Sequence, residues 1–215
     1  MELKISPLLL QLIYGLIISD AGIRKRHANG NGQFYLTTVH YSFAKKICNI
    51  FKMHGIDGKI KRHSPGKKMI ELGYTHAWRY ESEHTTFFTS IFNKWYVNNI
   101  KIVPKIKVIT PIMLAFWIMG DGHNQKMKQN QSRRLILCTD SFTVHDQEYL
   151  VKKFSKIGIY SHLEKVRISK DGVQQLRIVI SIARDVNNVI EQIAPIIVPA
   201  FTEFKYKIKQ CMRYR

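Results

Sequence analysis

The 215-residue chain carries 34 Lys+Arg against 15 Asp+Glu, a formal net charge of +19 and a pI near 9.9. Hydrophobic content of 45% and charged content of 23% suit a soluble globular protein of one large domain or two fused small ones. The positive excess makes a polyanion the leading partner, nucleic acid before an anionic membrane surface. Its spread from Lys4 to Arg215 favours a folded basic face over a disordered tail. Cys48, Cys138 and Cys211 lie far apart with no C-x-x-C pair, which argues against a disulfide framework or a zinc site and for a reducing compartment. The apolar stretch 8–18 is broken by Gln11 and is shorter than the roughly 18 residues a membrane span needs, so neither an anchor nor a secretion signal is expected. No Arg- and Ser-rich transit segment is present, so an organellar location would require synthesis inside the organelle.

Residues 8–20 read as a first helix with Gly22 as its stop. A basic, turn-rich stretch follows, and 23–28 with 33–41 form a hairpin around 29–32. Ser42 caps a helix whose Phe43, Ile47, Ile50 and Phe51 share one face and which Gly55 closes. Residues 56–63 and 68–76 read as a second hairpin turning at 64–66, and 85–97 as an aromatic-rich helix. The second half repeats this order: an apolar helix ending at Asp121, a polar turn over 123–132 and a strand over 133–139. Thr143 and Asp146 have the form of a capping box, opening a helix that Gly158 closes. Residues 159–169 and 173–182 pair around 170–172, and Asp185 caps a last helix reaching Ile193 before Pro195. Each half is helix, two strands, helix, two strands, helix, with halves expected at 1–103 and 104–215.

One phrase organises both halves. Residues 13–21 and 114–122 are apolar runs that end in one aspartate, Asp20 or Asp121, and then a small residue. The two aspartates are 101 residues apart, close to half the chain. A carboxylate at a helix C-terminus meets the negative end of the macrodipole. The same unfavourable choice made twice predicts a cation between the two carboxylates. Two copies of one unit imply a pseudo-two-fold axis with the motif helices side by side, their small positions Gly15, Ser19, Ala115 and Gly120 allowing close approach. Adjacent carboxylates repel unless a cation joins them. A hard divalent ion, Mg²⁺ first with Mn²⁺ or Ca²⁺ as substitutes, suits aspartates plus backbone carbonyls. On a basic scaffold that chemistry is metal-assisted phosphodiester hydrolysis.

At these residues the sequence resembles the LAGLIDADG homing endonucleases, in particular the single-chain, two-motif enzymes encoded in yeast mitochondrial introns. Residues 13–21 and 114–122 match the nine-residue motif, with Asp20 and Asp121 in its catalytic place. Tyr14, Ile18 and Phe116 depart from the motif without touching those ligands. Further matches are Val97, Asn98 and Asn99 with Lys101 and Pro104, Thr110 with Pro111, and 133–154. The resemblance implies an α+β fold of two αββαββα halves, each with a four-stranded antiparallel sheet, forming a saddle over DNA. It implies a monomer that cuts both strands of a long, loosely read site across the minor groove, leaving 3′ overhangs. It implies that Ser19 and Gly120 offer main-chain carbonyls to the metal. It also implies a basic residue near each scissile phosphate: Lys101 in the first half, and Lys205 or Lys207 in the second. A mitochondrial, organelle-encoded origin is what the resemblance implies for location.

The concave face of the strands is where double-stranded DNA would be read. Candidates are Arg24, Arg26, Gln33, Tyr35, Lys59, Lys61 and Arg62 in the first half, and Arg133, Lys165, Arg167, Gln174 and Arg177 in the second. Arg and Gln can make bidentate contacts to guanine and adenine, while Lys mostly meets phosphate. The same family also includes intron RNA maturases on the same basic scaffold, so an RNA-binding splicing cofactor is the alternative. The presence of both aspartates favours the nuclease. His123 and Asn124 lack the context of a histidine-asparagine nuclease and read as a loop.

Overall fold

The computed structural model describes residues 5–127, 133–169 and 172–208, without the side chain of Lys68, and divides into two compact units, Met1–Asn99 and Ile100–Arg215. Lys4, Cys211, Arg215, part of the expected turn over 123–132 and residues 170–171 of the later turn lie outside the described residues. Among the described residues no helix is long and apolar enough to cross a membrane.

In the first unit, α1 (Pro7–Ile18) starts where Ser6 accepts the Leu9 N–H at 3.1 Å and Pro7 pre-sets the first turn. It is apolar apart from Gln11 and Tyr14, and Leu9, Leu12, Ile13, Leu16, Ile17 and Ile18 are all buried. The helix ends two residues earlier than the sequence suggests, because the Ser19 hydroxyl turns back onto the Gly15 and Leu16 carbonyls at 3.0 and 3.1 Å. Gly22 is therefore not a helix stop. It lies in β1 (Ala21–Lys25), where an added Cβ would come within 2.5 Å of the Tyr35 hydroxyl. β1 pairs antiparallel with β2 (Gly32–Thr38). α2 (Tyr41–Met53) begins one residue before Ser42, so His40 holds the cap position without a side-chain bond. It closes at Gly55, whose φ of 77° lets the Gly55 and Ile56 N–H groups return to the Lys52 and Phe51 carbonyls.

The second hairpin differs from expectation. β3 (Gly58–His63) is followed by a short helix, α3 (Lys67–Glu71), and the pairing strand is β4 (Ala77–Thr85). Residues 67–72 lack strict alternation, and Gly73 at φ 85° ends the helix, its N–H donating to the Ile70 carbonyl and the Tyr74 N–H to the Met69 carbonyl. The alternation sits instead in Trp78, Tyr80 and Ser82 against Arg79, Glu81 and Glu83. α4 (Thr86–Trp95) is capped by the Thr85 hydroxyl. After it, β5 (Tyr96–Val97) turns through Asn98 and Asn99, at φ 50° and 62°, into β6 (Ile100–Lys101). The sheet order is β1-β2-β4-β3. Phe34 anchors the core between sheet and helices, its ring centroid 5.0 Å from Phe51 and 5.7 Å from Phe88.

The second unit repeats the plan. α5 (Pro111–Asp121) is capped by Thr110 and buries Met113 through Met119. The polar turn expected from His123 is instead strand β7 (Gly122–Lys126), paired with β8 (Arg133–Leu137). Its polarity marks an edge strand, with only one neighbour to pack against. α6 (Val144–Lys156) opens on the expected box: Thr143 accepts the Asp146 N–H and donates its hydroxyl to that carboxylate. β9 (His162–Ile168) and β10 (Gln174–Ile180) complete a sheet of order β7-β8-β10-β9. α7 (Ala183–Ala200) runs through Pro195 and Pro199 rather than stopping before the first, and Ile182, not Asp185, is its cap. Each proline removes one helical hydrogen bond, and burial of Ile193 and Ile197 offsets that loss. Asp185 is buried in the first turn, accepting the Tyr160 N–H at 2.9 Å. A closing 3-10 helix, Thr202–Ile208, was not foreseen.

Because α5 continues to Asp121, the chain must leave it at once. An added Cβ at Gly122 would meet the Ile118 Cα at 2.5 Å and its carbonyl at 2.6 Å. Gly122→Ala is expected to lower stability by about 1–3 kcal/mol through overpacking, measured as a lower denaturant midpoint at unchanged slope.

Candidate metal and nucleic-acid sites

The two motif ends are finished by different groups. In the first unit Ser19 is buried and its hydroxyl donates to the Gly15 and Leu16 carbonyls of the last α1 turn, and Asp20 is exposed in the turn before β1. In the second unit the ammonium of Lys207 donates to the carbonyls of Ile118, Met119 and Gly120 at 3.1, 2.6 and 2.7 Å. Lys207 is only 8% exposed, and its charge sits at the negative end of α5, one residue from Asp121. Asp121 is half-buried, and its own carbonyl accepts the Cys138 N–H. The cation expected from the sequence was one joining Asp20 and Asp121; what the second unit shows at its motif end is the Lys207 ammonium on backbone carbonyls. Lys205 is exposed in the same 3-10 helix, so the structure separates the two lysine candidates. Lys101 belongs to the second unit and holds its ammonium 5.8 Å from the Phe142 ring centroid.

The first motif end therefore offers a carboxylate with main-chain and hydroxyl oxygens, and the second a carboxylate with main-chain oxygens. Among the described residues no cluster of three or more His, Cys, Asp or Glu could hold a metal. Hard oxygen donors of this kind fit a hard divalent cation and not zinc. The Gly120 carbonyl already accepts from Lys207, leaving one lone pair for any other partner.

Strand register decides which basic side chains share a face. In the first sheet Ile23, Phe34, Leu36 and Tyr80 point into the core, so Arg24, Gln33, Tyr35, Arg79 and Glu81 point the other way. There they form one network. Arg24 donates from Nε and Nη2 to Gln33 Oε1, both at 3.0 Å, and from Nη2 to Glu81 Oε1 at 2.7 Å. Lys61 takes the other Glu81 oxygen at 2.8 Å, and Gln33 Nε2 donates to the Ser82 carbonyl. The Tyr35 ring lies between two guanidiniums, with Arg24 at 5.7 Å and Arg79 at 5.5 Å. The Lys61 hydrogen bond, helped by Arg24, holds the Glu81 carboxyl below its ordinary range despite burial. Lys59 stands opposite Glu81 and is exposed; Arg26 lies in the turn after β1. Arg62 falls outside this group, since it pairs with Trp78, whose ring packs against Tyr41 of α2.

The second sheet places its core residues Leu135, Leu137, Ile178 and Ile180 on one side, leaving Gln125, Arg134, Glu164 and Arg177 on the other. Arg134 donates to Gln125 Oε1 at 2.7 Å and to Glu164, and Arg177 donates to the second Glu164 oxygen. The Arg177 hydrogen bond and the Arg134 charge hold the Glu164 carboxyl low. Arg133 is on the opposite face, bonded to Asn124, which in turn donates to the Lys207 carbonyl. Arg167 joins the outward side through Gln175 at 2.7 Å, while Gln174 donates to backbone carbonyls and Lys165 stands opposite Leu176. Sequence reasoning thus missed Arg79, Glu81, Gln125, Arg134, Glu164 and Gln175. The signal was available for Arg79 and Glu81, as alternation over 78–83. For Arg134 the apolar parity of Leu135 and Leu137 was the cue.

Known proteins share this architecture. A family model described as the LAGLIDADG DNA endonuclease family matches residues 10–185. The chain is 24% identical over 218 residues to the cytochrome b mRNA maturase bI2 of Debaryomyces hansenii, covering 95% of this chain and 74% of that one. It is 27% identical over 236 residues to the cytochrome b mRNA maturase bI2 of Saccharomyces cerevisiae, covering 97% of this chain but about half, 49%, of the relative. The solved structure of the homing endonuclease I-WcaI bound to its DNA recognition sequence superposes with a TM-score of 0.74 at 21% identity, over 96% of this chain and 88% of that one. The structure of I-DmoI in complex with DNA and Mn gives 0.51 at 11% identity, over 85% and 94%. These likenesses establish a shared fold, and with a family model spanning most of its length, the chain belongs to the LAGLIDADG DNA endonuclease family.

Proposed function

We propose that this chain is a site-specific double-stranded DNA endonuclease that hydrolyses one phosphodiester on each strand across the minor groove, leaving 3′ overhangs. The observation that carries this reading is that each apolar motif helix delivers a solvent-reaching aspartate directly into the first strand of a sheet whose outer face is lined with Arg, Lys and Gln. Asp20 and Asp121 are the metal ligands, and the Ser19 and Gly120 carbonyls lie beside them in the chain. A divalent ion, Mg²⁺ first with Mn²⁺ or Ca²⁺ as substitutes, would polarise the scissile phosphate and lower the pKa of the attacking water. I-DmoI structures that contain DNA with Mn or with Ca support a divalent ion in this family. Lys207 is the second-unit lysine of choice over Lys205: its buried ammonium fixes the α5 terminus and keeps a positive charge beside Asp121. Lys101 is the other basic candidate, and Lys205 is left a solvent-facing role. The chain acts as a monomer with one motif unit for each strand, and a mitochondrial intron is its origin.

A second reading, an intron RNA maturase, is favoured by the names of the two yeast relatives that match almost the whole chain. Incubation with duplex DNA carrying its own gene's intronless flanks and Mg²⁺ separates the readings. The nuclease reading expects a double-strand cut. No cut, with restored splicing of a precursor RNA, would move the assignment to the maturase.

Asp20→Asn and Asp121→Asn are each expected to abolish cleavage of that duplex while gel-shift binding in Ca²⁺ persists. A variant that still cuts both strands would remove the aspartates from the reaction. Lys207→Met should lower stability by about 1.5–3 kcal/mol, because three buried carbonyls lose a charged donor, and should also slow cleavage. Lys205→Met should leave the unfolding midpoint unchanged.

A further inference from the structure

The two sheets build the same side-chain cluster from exchanged strands. In the first, the arginine is on edge strand β1 and the glutamine on β2; in the second, the glutamine is on edge strand β7 and the arginine on β8. The same exchange holds on the other side of the carboxylate. Glu81 is on inner strand β4 with Lys61 on edge strand β3, whereas Glu164 is on edge strand β9 with Arg177 on inner strand β10. In both, the arginine Nε donates to a glutamine oxygen, a terminal nitrogen donates to one carboxylate oxygen, and a second cation takes the other oxygen.

The first cluster is hard to explain as a stability device: Arg24 and Lys61 keep 43% and 53% of their side chains exposed, and ion pairs with such partners contribute little to folding. The second is less exposed, with Arg134, Arg177 and Glu164 at 20%, 24% and 28%, and its carboxylate holds two guanidiniums at once. A glutamate on a face that meets DNA also repels phosphate, so its presence weakens the general attraction that a +19 chain otherwise has. What the carboxylate does supply is geometry. A guanidinium has five donors in a fixed fork. With Nε and Nη2 of Arg24 held by Gln33 and Glu81, its Nη1 edge is turned away from both and carries no partner among the described residues. The Gln33 amide is fixed in turn, its oxygen on Arg24 and its nitrogen on the Ser82 carbonyl.

We propose that Glu81 and Glu164 are specificity-determining positioning residues, each holding the base-reading arginine and its companion cation of its own sheet in one orientation at the expense of non-specific affinity. The proposal rests on the duplex-DNA reading above for its ligand and does not depend on cleavage. Fixed donors discriminate between base edges, while free Lys and Arg side chains fold onto whichever phosphate is nearest.

The test is selection from a randomised duplex library in Ca²⁺ with the full chain, Glu81→Gln and Glu164→Gln, alongside binding to a fixed non-specific duplex and a denaturant midpoint for each protein. Glu81→Gln should lose discrimination by about tenfold or more at a few adjacent base pairs in one half of the selected site, and leave the other half as in wild type. Glu164→Gln should show the reciprocal pattern, and both should bind non-specific duplex more tightly. Variants that keep every base preference, or that weaken specific and non-specific binding alike together with a lowered midpoint, would overturn the proposal and reduce the glutamates to structural groups. A wild-type chain that enriches no sequence would instead remove the duplex-reading assignment itself.

Discussion

An apolar helix that ends in an aspartate has too much negative character at one place: unsatisfied carbonyls and a carboxylate together. Everything near each motif end can be understood as an answer to that excess. α1 answers with a hydroxyl, since Ser19 satisfies the Gly15 and Leu16 carbonyls and ends the helix before the aspartate. α5 answers with an ammonium, since Lys207 caps three carbonyls, and the helix can then run on through Asp121. A charged hydrogen bond contributes about 1.5–3 kcal/mol where a neutral one contributes about 0.5–1.5, so the stronger cap supports the longer helix. The price appears one residue later, where only glycine fits under the extended α5 but alanine is accommodated after the shorter α1.

The same Lys207 shows why a remote segment matters. The 3-10 helix that carries it follows α7, which continues through two prolines to reach Ala200. Had α7 stopped before Pro195, as proline chemistry alone predicts, the chain would have had several more unstructured residues before position 207. The lysine backbone is further tied by Asn124, whose amide donates to its carbonyl, and Arg133 holds Asn124 from the other side. An arginine chosen from sequence as a base reader thus belongs to the support of the motif end.

How much was legible follows from which signals are local. The order of the strands and longer helices in each half and the motif aspartates came from periodicity, caps and a repeated phrase, whereas the α+β class was what the family resemblance implied; Thr143 with Asp146 behaves as the capping box it resembles. The failures have a common form. Residues 68–76 and 123–127 differ from the sequence expectation because their polarity hides the element type: a short helix between strands in one case, an edge strand in the other. β4 starts at Ala77, beyond the stretch whose composition suggests a strand, so Arg79 and Glu81 lie outside the predicted hairpin. The identity of the second lysine was not decidable locally, because its partners are 87 to 89 residues away in the chain.

A one-residue choice in β8 shows what register adds to composition. Arg133 and Arg134 are the same residue type, adjacent, and indistinguishable by charge or propensity. Side chains in a strand alternate between faces, so the pair cannot do the same work. Leu135 and Leu137 face the helices, which sends Arg133 to their side and Arg134 with Ile136 to the other. Each arginine then finds the partner its face offers, Asn124 for one and Gln125 with Glu164 for the other. A basic protein of this family has many cations that could meet a polyanion, and their number says little about recognition. The few whose donors are already held by a glutamine and a glutamate have a fixed direction, and direction is what distinguishes reading a base edge from neutralising a phosphate.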